Sequence, residues 1–368
     1  MQMLSMIPDW LKIVLALLLS GAVSYFFTPF VKKFAEKVGA IDQPGERRVN
    51  DHPVPRMGGL AIFLGFVLSV LTFVQVDRSI LGLLVGAVLI AAMGAVDDIV
   101  NLNAWIKLAV QVAAALVAMC SGIVFNVLSN PNFLSEQTFI NIGYLAYPLT
   151  LLWIVGCTNA VNLIDGLDGL AAGVSAISSM TMLVVALFEG EVNIALLLVA
   201  LTGACLGFIP YNANPAKIFM GDVGAQFLGF VLAAVSVMGM FKFQAIITFI
   251  VPVLAMSVPL ADTVFAFFRR IFHGQSPFHA DKGHFHHRLL AMGLSQKQAV
   301  AVLYGVSAVL GLLAVLLAGT HTSVRVVCLV LAFVISLSVW LLIFRKNPHL
   351  KHPGGHVPER ETAKTKEL

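Results

Sequence analysis

Apolar residues run along this chain in long blocks, separated by short polar segments. A hydrocarbon core about 30 Å thick needs roughly 20 consecutive apolar residues in a helix. Eleven stretches fit, centred near Leu18, Phe66, Gly86, Ala115, Leu152, Met182, Val199, Leu232, Leu254, Ala314 and Leu331. They lie nearly edge to edge and leave no room for a soluble domain. The predicted fold class is all-α, a polytopic transmembrane helical bundle of about 11 spans over residues 1–344. Residues 345–368 form a cytoplasmic tail whose prolines, glycines and charges predict disorder. The first apolar run has Lys12 as its only positive charge and no small-residue cleavage site after it, so it is expected to stay as a helix.

Composition agrees with the pattern: 59% of the 368 residues are hydrophobic and 11% charged, against about 25% charged in soluble domains. The net charge of +4 says less than its distribution. With the N-terminus outside, 19 of the 23 Lys and Arg residues fall on one side, leaving Lys12, Arg78, Lys242 and Arg325. The positive-inside rule makes the crowded side cytoplasmic, giving N-out and C-in. Most of these cations are topology determinants, and no nucleic-acid partner is expected. Cys120, Cys157, Cys205 and Cys328 fall inside predicted helices without a CxxC pair and read as small packing residues.

The acids that interrupt the apolar pattern share one parity. Asp97 and Asp98, Asp165 and Asp168, Asp222, and Asp262 all face the cytoplasm under the eleven-helix count, as does the group His284, His286 and His287. Ionisable residues at a membrane edge are costly and mark functional sites by default. Their convergence on one face predicts a single site. For Asp262 a plain ion pair with Arg269 competes with that reading.

Adjacent carboxylates at Asp97-Asp98 repel and call for a nearby cation. Asn101 lies one turn beyond, and Lys107 opens the next span. In the second run, Asn159, Asn162, Asp165 and Asp168 recur every three residues, which would make successive members neighbours on a helix face. Gly166 and Gly169 weaken that helix and allow a ligand close to the backbone. In the third, Asp222 stands between Gly221 and Gly224 just before a helix. Asn and Asp oxygens suit a hard cation such as Mg²⁺, which completes its shell with waters and substrate phosphates. Lys107 and Lys217 would hold phosphate oxygens as point charges. This is equipment for phosphoryl transfer, and a site at the bilayer edge implies a membrane-bound acceptor. The run His284-Phe-His-His-Arg288 lacks the HExxH spacing of zinc proteases, so its side chains are expected to donate to a diphosphate or nucleotide.

Three runs, Gly94-Ala-Val-Asp97-Asp98, Asn159-Ala-Val-Asn162-Leu-Ile-Asp165-Gly-Leu-Asp168-Gly169 and Pro215-Ala-Lys217-Ile-Phe-Met-Gly-Asp222, resemble those of the polyprenyl-phosphate N-acetylhexosamine-1-phosphate transferases. The resemblance covers roughly Ile13 to Leu294. The loop from Asp42 through Arg56 to Gly59, with the His284–Arg288 run, is similar to the branch that uses UDP-N-acetylglucosamine and begins teichoic acid, O-antigen or related envelope glycans. The branch that transfers muramyl-pentapeptide has a different three-histidine run followed by an acid.

This resemblance implies transfer of N-acetylglucosamine 1-phosphate onto undecaprenyl phosphate, with release of UMP, at the cytoplasmic face of the bacterial plasma membrane. It implies Mg²⁺, with Mn²⁺ as an alternative, held by Asp222 with Asn162 as a second ligand. It also implies catalytic roles for Asp97, Asp98 and Lys107, donor contacts from Asp165, Asp168, His284, His286, His287 and Arg288, and a homodimer; Arg56, Asn101, Asn159 and Lys217 are further candidate substrate contacts. Two departures stand out: Asn50 where many relatives carry His, and Val223-Gly-Ala225 where Thr-Gly-Ser is common.

Two rivals make different demands. A CDP-alcohol phosphotransferase would need an Arg near Gly173 and further acids at fixed spacing, but the next acids are Glu189 and Glu191. A lipid transporter would carry inverted repeats and mid-membrane charges, whereas these acids gather at one edge.

Overall fold

The structure is a computed structural model that describes residues 7–43, 52–125, 127–129, 139–240, 250–272, 284–318 and 322–346. The expected loop over residues 44–51, residues 281–283 of the histidine segment, and the tail beyond Lys346 lie outside them. All eleven predicted centres fall on helices. These are α1 (Asp9–Val38), α2 (Gly59–Phe73), α3 (Arg78–Val100), α4 (Ala104–Cys120), α5 (Ala146–Ile164), α6 (Leu170–Phe188), α7 (Val192–Asn212), α8 (Gly221–Met240), the pair α9 (Ile250–Ala255) and α10 (Ser257–Phe272), α12 (Gln296–Leu317) and α13 (Thr322–Lys346). A short α11 (Phe285–Ala291) carries the histidine run. Seven of the described helices are long and apolar enough to cross a membrane, and α2, α4 and residues 326–338 are shorter apolar helices. Helix α13 runs two residues past the predicted start of the tail.

The ninth apolar stretch is broken where a single helix was expected, and the reason is chemical. Pro259 has no N–H to return to the Ala255 carbonyl. Ser178 of α6 donates to that carbonyl at 2.6 Å instead, so the chain divides into α9 and α10 without an orphaned acceptor. Between α4 and α5, the segment read as a plain loop is framed by an antiparallel ribbon of β3 (Val127–Ser129) and β4 (Phe139–Asn141).

Helix α8 forms the centre, packed against α2, α3, α5, α6 and α7. Phe227 and Phe230 on it are fully buried, and Phe66 of α2 meets Phe227 edge to face at 5.6 Å. Helix α1 closes the side near α2 and α7 with the buried small polar residues Ser20, Ser24 and Thr28. Small residues let helices approach closely where burial from water gives no driving force, and Ser69 of α2 donates across to the Ala16 carbonyl at 3.0 Å.

The tight α3–α4 turn follows from its asparagines. Asn101 adopts the left-handed conformation (φ 51°) that ends α3. Asn103 caps α4 by accepting from the Trp105 N–H at 3.0 Å. At the same end of the bundle, β1 (Ile41–Asp42) pairs with β2 (Val54–Pro55). The chain after β2 then bonds to the entry of α8, Gly58 N–H to Phe219 and Gly59 N–H to Met220. That pairing brings Arg56 beside the acids.

Candidate active site

Where α3 and α5 end and α8 begins, a cavity of about 480 Å³ opens between the helix ends. This lies within the range of small-molecule sites, roughly 300–1,000 Å³. Its lining includes Asp42, His52, Arg56, Asn162, Asp165, Asp168, Asn214, Asp222, His286, His287 and Gln296.

One wall is built on α8. Asp98, whose side chain is fully buried, accepts the backbone N–H groups of Asp222 at 3.0 Å and Val223 at 3.4 Å. It therefore occupies the positive end of the α8 dipole, where a carboxylate is stabilised. Gly221 makes this possible: its φ is 72°, and a Cβ there would collide with the Asp98 carboxylate. Arg56 approaches Asp98 at 3.5 Å and Asp42 at 3.7 Å.

The neighbouring Asp97 does something different. It accepts from the Leu102 N–H at 2.6 Å and from the Lys107 ammonium at 2.9 Å. The same ammonium lies 2.9 Å from Asp222, so Lys107 bridges two carboxylates. Asn162 donates to the other Asp222 oxygen, Oδ1, at 3.1 Å.

The floor is the α5–α6 turn. Helix α5 stops at Ile164, so Asn159 and Asn162 lie on the helix while Asp165 and Asp168 lie in the turn. The expected continuous face is thus interrupted at the glycines. Asp168 accepts from Asn214 at 2.9 Å and from the Ala216 N–H at 3.0 Å, tying the turn to the chain ahead of α8. Gly169 donates to Asn212, and Tyr304 of α12 donates to the Gly169 carbonyl. Asp165 is pushed up to about 7, first by burial and then by the charges of Asp222 and Asp98, with Arg56 opposing.

The opposite wall is the histidine run. Asp262 of α10 spends one oxygen on His284 Nδ1 at 2.8 Å and the other on the Phe285 N–H at 2.7 Å. It thereby anchors α11, a use that the expected pairing with Arg269 did not anticipate. His286 stacks parallel to His284 with ring centroids 5.8 Å apart and lies 4.3 Å from His287. Burial, followed by His287, holds His286 down at about 4, so its ring is neutral at physiological pH. Gly166 was read as leaving room for a ligand. What occupies that room is the His286 ring, which a Cβ at 166 would strike.

The structure therefore brings Arg56, Asn162, Asp165, Asp168, Asp222, His286 and His287 to the cavity wall and sets Asp97, Asp98, Lys107 and His284 behind them. Asn101 is an exposed helix cap, and Lys217 and Arg288 are exposed and do not line the cavity. Asn159 points into the bundle toward Gln111 rather than into the cavity. Sequence reasoning overlooked Gln111, Gln226, Asn214, His52 and Gln296. For Gln111 and Gln226 a signal existed, since both are carboxamides inside apolar helices.

Fold and site define a polytopic helical membrane protein with carboxylates, a lysine and imidazoles around a nucleotide-sized cavity at one end. Residues 80–240 match the family described as glycosyl transferase family 4. Over 308 residues, 83% of this chain and 85% of the relative, the sequence is 42% identical to the probable undecaprenyl-phosphate N-acetylglucosaminyl 1-phosphate transferase of Bacillus subtilis (strain 168). It is 35% identical over 321 residues (80% and 79%) to the decaprenyl-phosphate N-acetylglucosaminephosphotransferase of Mycolicibacterium smegmatis. With the undecaprenyl-phosphate alpha-N-acetylglucosaminyl 1-phosphate transferase of Escherichia coli K12 it shares 28% identity over 311 residues (83% and 84%). The chain belongs to glycosyl transferase family 4, the family of polyprenyl-phosphate N-acetylhexosamine-1-phosphate transferases.

Proposed function

We propose that this protein transfers N-acetylglucosamine 1-phosphate from UDP-N-acetylglucosamine to a polyprenyl phosphate, releasing UMP. It does so at the cytoplasmic face of a bacterial plasma membrane, as the first membrane step of an envelope glycan. One observation carries the reading: Asp222 belongs both to the cavity lining and to the Lys107–Asp97 pair behind it. A donor diphosphate in the cavity and an acceptor phosphate at Lys107 would then meet across a single carboxylate.

The acceptor side has the right character. Lys107 keeps 26% of its side chain accessible without lining the cavity, and Trp105 and Ile106 in the same turn are exposed apolar residues. A lipid phosphate can reach the ammonium there while its chain stays among apolar groups. An acceptor oxygen attacks the donor's β-phosphorus, the new P–O bond forms, and the phosphoanhydride bond to UMP breaks. The second pKa of a phosphate monoester is about 6, so near pH 8 the acceptor is already a dianion and no general base is needed. Asp97 and Asp98 accordingly position their neighbours: Asp97 holds Lys107, and Asp98 holds the first turn of α8.

The donor set fits Mg²⁺. Asp222 and Asn162 line the cavity, and Asn162 uses its Nδ2 on Asp222, which leaves its carbonyl oxygen for a cation. Among the described residues no group of three His, Cys, Asp or Glu is placed to hold an ion. Such a site suits an ion that keeps waters and phosphate oxygens in its shell, with Mn²⁺ as an alternative. When bound, the ion would neutralise the donor diphosphate and charge building on the leaving UMP.

The test is direct. Purified protein given UDP-N-acetylglucosamine and undecaprenyl phosphate should release UMP and form the lipid diphosphate sugar, identified by mass spectrometry. Chelation should stop the reaction and added Mg²⁺ restore it. Absence of UMP release from folded protein would overturn the reading and favour a transporter.

A further inference from the structure

Behind Asp222 a file of buried carboxamides runs into the apolar interior. Gln226, one turn along α8 and 1% exposed, donates its amide to Asp222 Oδ2 at 3.1 Å. Its own carbonyl accepts from Gln111 of α4 at 2.8 Å, and Gln111 is 2% exposed. The Gln111 carbonyl accepts from Asn159 of α5 at 2.7 Å, and Asn159 also donates to the Val155 carbonyl at 2.8 Å. Unpaired amides at this depth would be strongly unfavourable, and each end of the file closes on a group that only accepts. The carboxylate requires Gln226 to turn its NH₂ outward, so Gln111 must donate to Gln226 and Asn159 must donate to Gln111. The orientation of the three amides is therefore fixed from both ends, by the Asp222 carboxylate and by the Val155 carbonyl.

We infer that Gln226 and Gln111 are positioning residues of the transfer reaction, forming a relay that holds Asp222 in the rotamer its role requires. This rests on the function proposed above. The geometry shows what the relay prevents. Asp222 Oδ2 takes two donors, Lys107 at 2.9 Å and Gln226 at 3.1 Å, and Oδ1 is left with Asn162 at the cavity. Lys107 already ties Asp222 to Asp97 at 2.9 Å each, and with that contact alone the Asp222 carboxylate would be free to turn about Oδ2. Gln226 pulls from the α8 side, so Asp222 stays between the cavity and the ammonium, with Oδ1 available to a cation. Neither glutamine lines the cavity, so neither touches substrate.

The test uses the full chain in detergent, with Mn²⁺ as probe, titrated at saturating UMP and read from the loss of the free-ion EPR signal. Gln226→Leu removes the donor. Gln111→Leu removes the donor to the Gln226 carbonyl and frees that amide to turn over. Each should weaken Mn²⁺ binding about tenfold or more and lower kcat about 10–100-fold, as outer-shell substitutions do. KM for the UDP-sugar should stay within about twofold, because donor contacts are untouched. If either single variant misfolds, the double variant Gln111→Leu with Gln226→Leu leaves no orphan amide between them. It should keep near wild-type Tm while losing Mn²⁺ affinity. Wild-type Mn²⁺ affinity in a variant whose activity falls only with its Tm would overturn the relay. Failure of the wild-type protein itself to take up Mn²⁺ would instead count against the metal and the functional reading.

Discussion

On one wall of the cavity Asp222 is gripped by side chains from three helices, and the adjoining Asp98 by two backbone amides of α8. On the other wall the histidine run sits on the seven-residue α11 and is anchored by one carboxylate, Asp262. The first wall is rigid because charge chemistry demands it: preorganised groups stabilise developing charge only if they need not move. The second carries a neutral imidazole, His286, and an adjoining His287, groups suited to recognising a nucleotide rather than neutralising it. The contrast assigns rate to the α8 wall and donor affinity to the α11 wall.

That assignment can be broken most sharply at Asp222. Asp222→Asn should leave a folded protein whose kcat falls roughly 10³-fold or more, since removing one electrostatic contact in a desolvated site already costs about 10²–10³. Near wild-type turnover at saturating Mg²⁺ would end the assignment. For Asp98→Asn a loss of about 10–100-fold follows from a loosened α8 terminus. If Asp98 positions and does not deprotonate, as proposed, the deficit should not shrink as pH rises from about 6 to about 9, across the second pKa of the acceptor phosphate. Full rescue at alkaline pH would instead make it a base.

On the other wall, Asp262→Asn should raise KM for the UDP-sugar about tenfold and leave kcat within about twofold, the split expected when only uniform binding is lost. A fall in kcat with KM unchanged would erase the distinction between the walls. The smallest effect concerns Asp165, between them. With its pKa raised from 3.8 to about 7, the folded protein retains a proton that the unfolded chain gives up across this interval. Stability should therefore decline as pH rises from about 4 to about 7. Asp165→Asn cannot ionise, so without metal its Tm advantage over wild type should grow by a few degrees from pH 5 to pH 8. A gap independent of pH would show that Asp165 ionises in the folded protein as it does in the unfolded chain.

Much of the site was legible because intramembrane carboxylates and amides are rare enough to stand out against apolar helices. Asp97, Asp98, Asp165, Asp168 and Asp222 all stand out this way; in the structure the last three line the cavity and the first two contact Lys107 and the start of α8 behind it. Lys217, Arg288 and Asn101 were grouped with the site in the same way, but none of them lines the cavity, since residues beside a motif in sequence need not turn toward it. The same reasoning read Gly166 as space for a ligand, when the His286 ring fills that space. Gln111 and Gln226 were passed over because neither is charged, and a single amide in a helix acquires meaning only from its partner on another helix.

By itself the sequence determined the class of architecture: eleven apolar blocks, with acids of common parity in the segments between them. These follow from the bilayer, which fixes helix length and makes each buried charge costly wherever it lies along the chain. Only tertiary structure decided what each acid does. Asp97 and Asp98 are adjacent in sequence, yet one holds the Lys107 ammonium and the other the first N–H groups of α8. On a helix, neighbours point about 100° apart, so the packing of α4 and α8 around the end of α3 sets their roles.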